Sequence, residues 1–405
     1  MVQIIDKVLN PKQQEVWNCF INERPKILIA SGAKRAGKTY VFILLFLMHI
    51  ASYENKGLNF IIGGATQASI RRNVLDDMEL ILGKELKLDK SNAVKIFGNK
   101  VYVFDGQNAD SWKKARGFTS AGAFLNEGTA LHDTFIKEVF SRCSYKGARI
   151  LVDTNPENPM HPVKKDYIDN SGQTLSNGRL NIKAFQFTLF DNTFLDSEYV
   201  ESIIASTPSG MFTDRDIYGK WVAAEGVVYK DFNEEIHYIT EEEYIQKQIK
   251  KKYAGVDWGY EHHGSIIVIA EDMEGKRYLI EEHAYQHKEI DDWVEIAKGV
   301  IERHGNILFY CDTARTEHIS RFGKEGIKAR YADKSVLSGI EVVARGFKLN
   351  ELFIIENKVK LFKDEIYNYV WDEKKDEPVK ANDDCLDALR YAIYTSSKGS
   401  GTGFK

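Results

Sequence analysis

The segment GAKRAGKT, Gly32 to Thr39, has the spacing G-x-x-x-x-G-K-T. Glycines in such a loop let backbone N–H groups approach a polyanion, the lysine reaches the β- and γ-phosphates, and the hydroxyl beside it can hold Mg²⁺. The pattern predicts a nucleoside triphosphate cradle formed by Gly32, Ala33, Lys34, Arg35, Ala36, Gly37, Lys38 and Thr39, with Thr39 on the metal. A loop of this kind needs an acid at the end of a neighbouring strand, and GAFLNEG offers Glu127 to orient an attacking water. The preceding position, where an aspartate ordinarily helps to bind Mg²⁺, is Asn126, so metal binding is expected to lean on Thr39 and water. A third strand end, ILVDTNP, presents Thr154 and Asn155 as polar sensors of a γ-phosphate. Arg35 and Arg142 are the arginines expected to neutralise transition-state charge.

A second group of acids lies in the other half of the chain. AGVDWG puts Asp257 on a strand, LFYCDTA puts Asp312 at the end of another, and NDDCLDALRYAIY places Asp384 and Asp387 three apart on one helix face. An aspartate in a first strand, another at a later strand and an acidic C-terminal helix is the order expected of an RNase H-like nuclease, whose converging carboxylates hold two divalent ions. Hard oxygen ligands select Mg²⁺ or Mn²⁺ rather than zinc. Between these acids runs a basic stretch with Arg315, Arg321, Lys324, Lys328, Arg330, Lys334, Arg345 and Lys348, a candidate track for a nucleic-acid backbone.

Positioning two such sites requires two scaffolds. A chain of 405 residues exceeds what one core ordinarily supports, and 43% hydrophobic content is ample for two. In the first half, the apolar runs KILIAS, LNFIIGG, KVYVF, GAFLN and ARILVDT alternate with helical stretches, the rhythm of a parallel α/β sheet with crossover helices. Residues 1–235 are expected to form this domain, with a linker subregion near 210–235. The second domain, 250–395, opens with YAGVDWG, GSIIVIAED and KRYLIEEHAY, which read as an antiparallel meander, followed by a helix and the buried strand NILFYCD. Residues 396–405 are Gly/Ser-rich and expected to be disordered.

A net charge of −4 means that any contact with nucleic acid must come from local basic patches. Four separated cysteines, with no C-x-x-C pair, argue against a zinc site or disulfide framework and suit an intracellular compartment. The apolar run from Val41 is too short to span a bilayer, and neither a signal peptide nor a membrane anchor is expected.

Taken in order, GAKRAGKT, GAFLNE, DTNP, FTLFDNTFL, DRDIYGKWVAAEGVVY, GVDWG and NDDCLDALRYA resemble the motifs of the large terminase subunit of tailed bacteriophages, over nearly the whole chain. The resemblance implies an additional-strand P-loop ATPase domain followed by an RNase H-like nuclease domain, with ATP and Mg²⁺ at the first and two Mg²⁺ or Mn²⁺ ions at the second. ATP would drive double-stranded DNA into a prohead in the cytoplasm of an infected bacterium. Implied partners are the DNA, a small terminase subunit and the portal protein, with the chain acting as a homo-oligomeric ring and away from any membrane. By position, Lys38 and Thr39 bind nucleotide and Mg²⁺, Glu127 is catalytic, and the segment from Thr154 couples hydrolysis to movement. Gln13 and Gln14 correspond to adenine-contacting residues. Asp257, Asp312 and Asp384 match the metal-binding triad; whether Asp384 or Asp387 is the principal third ligand stays open. The competing expectation, a helicase-like translocase that grips DNA without cutting it, would be expected to lack part of that triad.

Overall fold

The computed structural model describes residues 8–372 and 375–399. Two compact units divide the chain: one runs up to Val200 and takes in Thr213–Val222, the other combines Glu201–Phe212 with the chain from Ala223 onward. The expected first domain, 1–235, runs past this division by residues 223–235. Residues 223–235 pack with the second unit because their aromatic side chains are core material there: the rings of Tyr229 and Phe232 lie 5.7 and 5.3 Å from that of Phe347.

The first unit is built on a seven-stranded sheet. Its strands are β1 (Ile27–Gly32), β2 (Asn59–Gly64), β3 (Ala93–Ile96), β4 (Asn99–Asp105), β5 (Gly122–Leu125), β6 (Arg149–Thr154) and β7 (Ile182–Phe187), in the order β3-β4-β2-β5-β6-β1-β7. All neighbours are parallel except β3 and β4. Every residue of β1, β5 and β6 is buried, as expected of parallel strands covered on both faces. β6 lies between the strand that leads into the phosphate loop and the strand that ends at the acid, which makes this an additional-strand sheet. Sequence patterning misses β3 and β7. β7 is an edge strand whose middle residues are only half-buried, so IKAFQF has no strong apolar period, yet it pairs with β1 along its full length.

The second sheet contains β8 (Tyr238–Ile239), β9 (Ile249–Asp257), β10 (Gly264–Asp272), β11 (Arg277–Tyr285), β12 (Leu308–Cys311), β13 (Ala329–Tyr331) and β14 (Leu352–Ile355), in the order β13-β12-β9-β10-β11-β14-β8. β9, β10 and β11 form the expected antiparallel meander, and β12 and β13 continue the sheet parallel to β9, the RNase H-like arrangement. The helix Asp384–Gly399 lies directly on β9. At Gly255 an added Cβ would stand 1.9 Å from the carbonyl oxygen of Ala388, so only glycine allows this approach. The same helix corrects the expected disordered tail: Ser396 and Ser397 are helical and bond back to Ile393 and Tyr394, while 400–405 lie outside the described residues. All four cysteines are free and buried. No helix among the described residues is long and apolar enough to cross a membrane.

Candidate active sites

In the first unit the phosphate loop connects β1 to the helix Lys38–Ala51. Gly37 caps that helix in the left-handed conformation at φ 84°, and an added Cβ would lie 2.6 Å from the Gln13 amide nitrogen. The helix buries Val41, Phe42, Leu45 and Phe46, which anchors the loop while its first-turn N–H groups face the cavity as an anion site. The cavity, of about 810 Å³, is lined by the loop from Lys34 to Tyr40 and by Glu127, Asp153, Thr154 and Asn155.

Lys38 is buried, and its ammonium donates to the carbonyl oxygens of Gly32 (2.8 Å) and Ala33 (2.5 Å) and to Oδ1 of Asn155 (3.0 Å). Burial lowers its pKa to about 8, against the pull of Asp153, Asp216 and Glu127. The end of β6 thus reaches Lys38 through Asn155. Thr154 also lines the cavity, and its hydroxyl accepts the Thr129 N–H at 3.0 Å.

Glu127 follows β5 with φ 56° and ψ 58°, a left-handed geometry costing about 1–2 kcal/mol in a non-glycine residue. The carboxylate of Asp153 accepts its backbone N–H at 2.8 Å and so holds this turn. Burial, then the neighbouring Asp153, raises the Glu127 pKa, with Arg72 and Lys38 acting the other way. Asn126 is buried and donates its side-chain amide to both oxygens of Asp153, at 3.0 and 3.1 Å.

The other expected residues separate. Arg35 lines the cavity, with φ 58°, its carbonyl receiving the Asn192 amide at 2.6 Å and its guanidinium 5.3 Å from the Tyr199 ring centre. Arg142 does not line it. The helix Asp133–Arg142 runs back from the acid, so Arg142 ends beside Ser120, ahead of β5, where its carbonyl accepts the Ser120 N–H at 2.8 Å. Gln13 and Gln14 also lie outside the lining: Gln13 completes a capping box with Asn10 and donates to Gly37 O at 2.8 Å, and Gln14 donates to Leu9 O. Arg72, Asn73 and Asp77 do line the cavity, from the helical segment after β2. Asn73 sits 3.5 Å from Glu127 Oε1. The one clue to them in the sequence is a charged cluster, RRNVLDD, following an apolar strand.

In the second unit β9 brings Asp257, the end of β12 brings Asp312, and the start of the C-terminal helix brings Asp384 and Asp387. Asp257 shows that they converge: burial first, then Asp387, Asp312, Asp384 and Asp383, push its pKa well above the carboxylate range. Asp383, overlooked in the sequence, rises to about 6 from burial and from Asp387 and Asp384. Each of three acids also has a cationic or protonatable partner. Lys334 Nζ is 2.5 Å from Asp312, His262 Nδ1 is 2.6 Å from Asp384, and Arg390 is 2.8 Å from Asp387. Asp387 accepts in addition from Tyr391 (3.2 Å) and Tyr369 (3.5 Å).

Among the described residues no three His, Cys, Asp or Glu side chains are already gathered as a metal cage. The donor set nevertheless suits hard divalent ions, being all carboxylate oxygen with more negative charge than a buried site tolerates unpaired. Behind it, buried Glu365 accepts the N–H groups of Cys385 and Leu386 and fixes the start of the helix; burial raises its pKa to about 8.

The basic run is not one continuous track. Arg321 is engaged with Asp291 and Glu325, Lys334 with Asp312, and Lys348 with Asp231 at 3.4 Å. Lys324, Lys328 and Arg330 are exposed and form no ion pair among the described residues.

These two sites define the class: a P-loop ATPase domain followed by an RNase H-like, nuclease-type domain. Residues 29–236 match the family model of the terminase large subunit, T4likevirus-type, N-terminal, and residues 254–395 match that of the terminase RNaseH-like domain. The chain belongs to the large terminase subunits of bacteriophage DNA packaging. It is similar to the large terminase of the thermophilic bacteriophage D6E in complex with ADP, with 27% identity, a TM-score of 0.79, and coverage of 97% of this chain and 100% of that one. The same D6E protein in complex with ATP-gamma-S matches at 27% identity and a TM-score of 0.77, covering 96% and 99%. No curated protein matches the sequence.

Proposed function

We propose that this chain is a packaging motor that hydrolyses ATP to move double-stranded DNA into a prohead and cuts the concatemeric genome by metal-assisted phosphodiester hydrolysis. What carries the reading is the presence in one chain of a phosphate loop with its own acid, Glu127, and of converging carboxylates on an RNase H-like sheet.

At the first site Lys38 and the N–H groups of the loop would bind the phosphates, and Thr39 would help to hold the Mg²⁺ of the nucleotide. Glu127 orients water, and the rise in its pKa from burial and Asp153 strengthens it as a proton acceptor. Asn155, bonded to Lys38, links the end of β6 to the γ-phosphate, and Arg35 on the rim is the candidate for transition-state charge. The ADP and ATP-gamma-S of the D6E complexes support a nucleotide here.

At the second site Asp257, Asp312 and Asp384 would hold two Mg²⁺ or Mn²⁺ ions. Bound there, the ions would activate water and stabilise the leaving oxygen. Asp384 is the principal third ligand in this proposal, because both oxygens of Asp387 are taken by Arg390, Tyr391 and Tyr369. Release of Asp312 from Lys334 would accompany loading. We place the protein in the host cytoplasm, as a ring on the portal, with a small terminase subunit as partner.

A plasmid-cleavage assay with Mn²⁺ tests the nuclease half. Asp312→Ala should lower cleavage by about a hundredfold or more while ATP hydrolysis persists. Wild-type protein that hydrolyses ATP and binds duplex DNA without ever cutting it would favour the non-cleaving translocase.

A further inference from the structure

We propose that Asp153, at the end of β6, supplies the carboxylate for the nucleotide's divalent ion in the ATPase site, and that Asn126 positions it. The inference rests on the reading of the cavity as an ATP site. In P-loop ATPases the metal is served by the loop hydroxyl and by an aspartate on the acid strand. Here that strand ends Asn126-Glu127, so the acid strand has no aspartate at the usual place.

The missing carboxylate stands one strand away. β6 is hydrogen-bonded to both β5 and β1, so its last residues lie between the acid strand and the phosphate-loop strand. Asp153 is 1% exposed but lines the cavity. Its Oδ1 accepts from Asn126 and from the Glu127 N–H, and its Oδ2 accepts from Asn126. Ionised carboxylates have about four acceptor sites. Three are used to fix its orientation, and of the loop side chains both Lys38 and Thr39 act on it electrostatically.

That pairing of loop hydroxyl and carboxylate is the one a hydrated Mg²⁺ requires, since the ion keeps several waters and takes one or two carboxylates besides phosphate. A buried carboxylate costs stability unless charges or donors compensate it. Asn126 is a better neighbour for it than an aspartate, because its amide donates where a second carboxylate 3.0 Å away would repel. Exchange of acid and amide between the two strands thus leaves one acid and one donor in the pair.

The test measures coupling between Mg²⁺ and nucleotide on the full chain, using a fluorescent ADP analogue titrated in EDTA and in Mg²⁺. Wild type should bind more tightly with Mg²⁺. Asp153→Asn, which preserves shape, should keep its EDTA affinity within about twofold and lose about tenfold or more of the Mg²⁺-dependent gain. The double exchange Asn126→Asp with Asp153→Asn should recover part of that gain. Retention of the full gain by Asp153→Asn overturns the proposal. Parallel loss of EDTA affinity, or no recovery in the double exchange, overturns it as well by assigning Asp153 only to holding the Glu127 turn. A wild type that binds no nucleotide would instead refute the ATP-site reading itself.

Discussion

The two candidate sites handle negative charge in opposite ways. In the first unit a single fully buried aspartate is met by N–H donors, and the cations Lys38 and Arg35 are left to face an incoming polyanion. In the second, Asp257, Asp312, Asp383, Asp384 and Asp387 crowd together, and the strongest neutralising groups, Lys334, His262 and Arg390, are side chains of the same unit. The difference suits two uses of phosphate. A nucleotide arrives as an anion with its own Mg²⁺ and needs a positive cradle, whereas cutting a DNA backbone at an acidic site requires cations to be collected there first.

The largest expected effect would break the comparison if it failed. Lys38→Ala should lower ATP hydrolysis about a thousandfold, because the loop's buried ammonium, proposed above to bind the phosphates, is lost, while Mn²⁺-dependent plasmid cleavage stays within about twofold. Equal loss of both activities in a folded variant would show that the two sites are not separate.

A smaller effect sharpens the nuclease side. Lys324→Ala, Lys328→Ala and Arg330→Ala should each weaken duplex binding and flatten the slope of log affinity against log salt by about 0.9. Arg321→Ala should leave that slope unchanged, since its guanidinium is already committed to Asp291 and Glu325. A salt series on the four variants decides it, and a shallower slope for Arg321→Ala would restore the continuous track.

The smallest effect is on stability. Asp257 and Asp383 have folded pKa values above those of free carboxyls, so the native state binds more protons than the unfolded one across that interval. Their contribution is present in full below about pH 4 and is lost as pH rises through the folded values, about 6 for Asp383 and likewise raised for Asp257. In EDTA the second unit should therefore lose a few degrees of Tm between pH 5 and 8, roughly 2–4 °C per kcal/mol. Asp257→Asn should flatten that decline, and divalent ions should reverse it. A Tm in EDTA independent of pH would show that the acids do not strain the fold.

Local chemistry made much of this legible in the chain itself. The phosphate loop is contiguous, so its glycines, Lys38 and Thr39 are set by sequence spacing alone, and β1, β2, β4, β5 and β6 announce themselves because buried parallel strands are apolar runs. The order of Asp257, Asp312 and Asp384 along the meander, the later strand and the last helix was equally open to reading.

What tertiary structure alone decided are the relations across strands. Asp153 reads as the polar end of an apolar run until β6 is seen between β5 and β1, with Asn126 bonded to the carboxylate and Thr39 lining the same cavity. Arg142 and the two glutamines fit the sequence pattern, yet the helix after β5 carries Arg142 to Ser120, and the glutamines are engaged with Asn10, Gly37 and Leu9. The basic run looks uniform in one dimension, but folding hands several of its charges to acids distant in sequence, Asp291 and Asp231 among them. Spacing along a chain specifies contacts within a loop or a helix face. Which acid meets which cation depends on strand order and on helix approach, here as close as the missing Cβ of Gly255 permits.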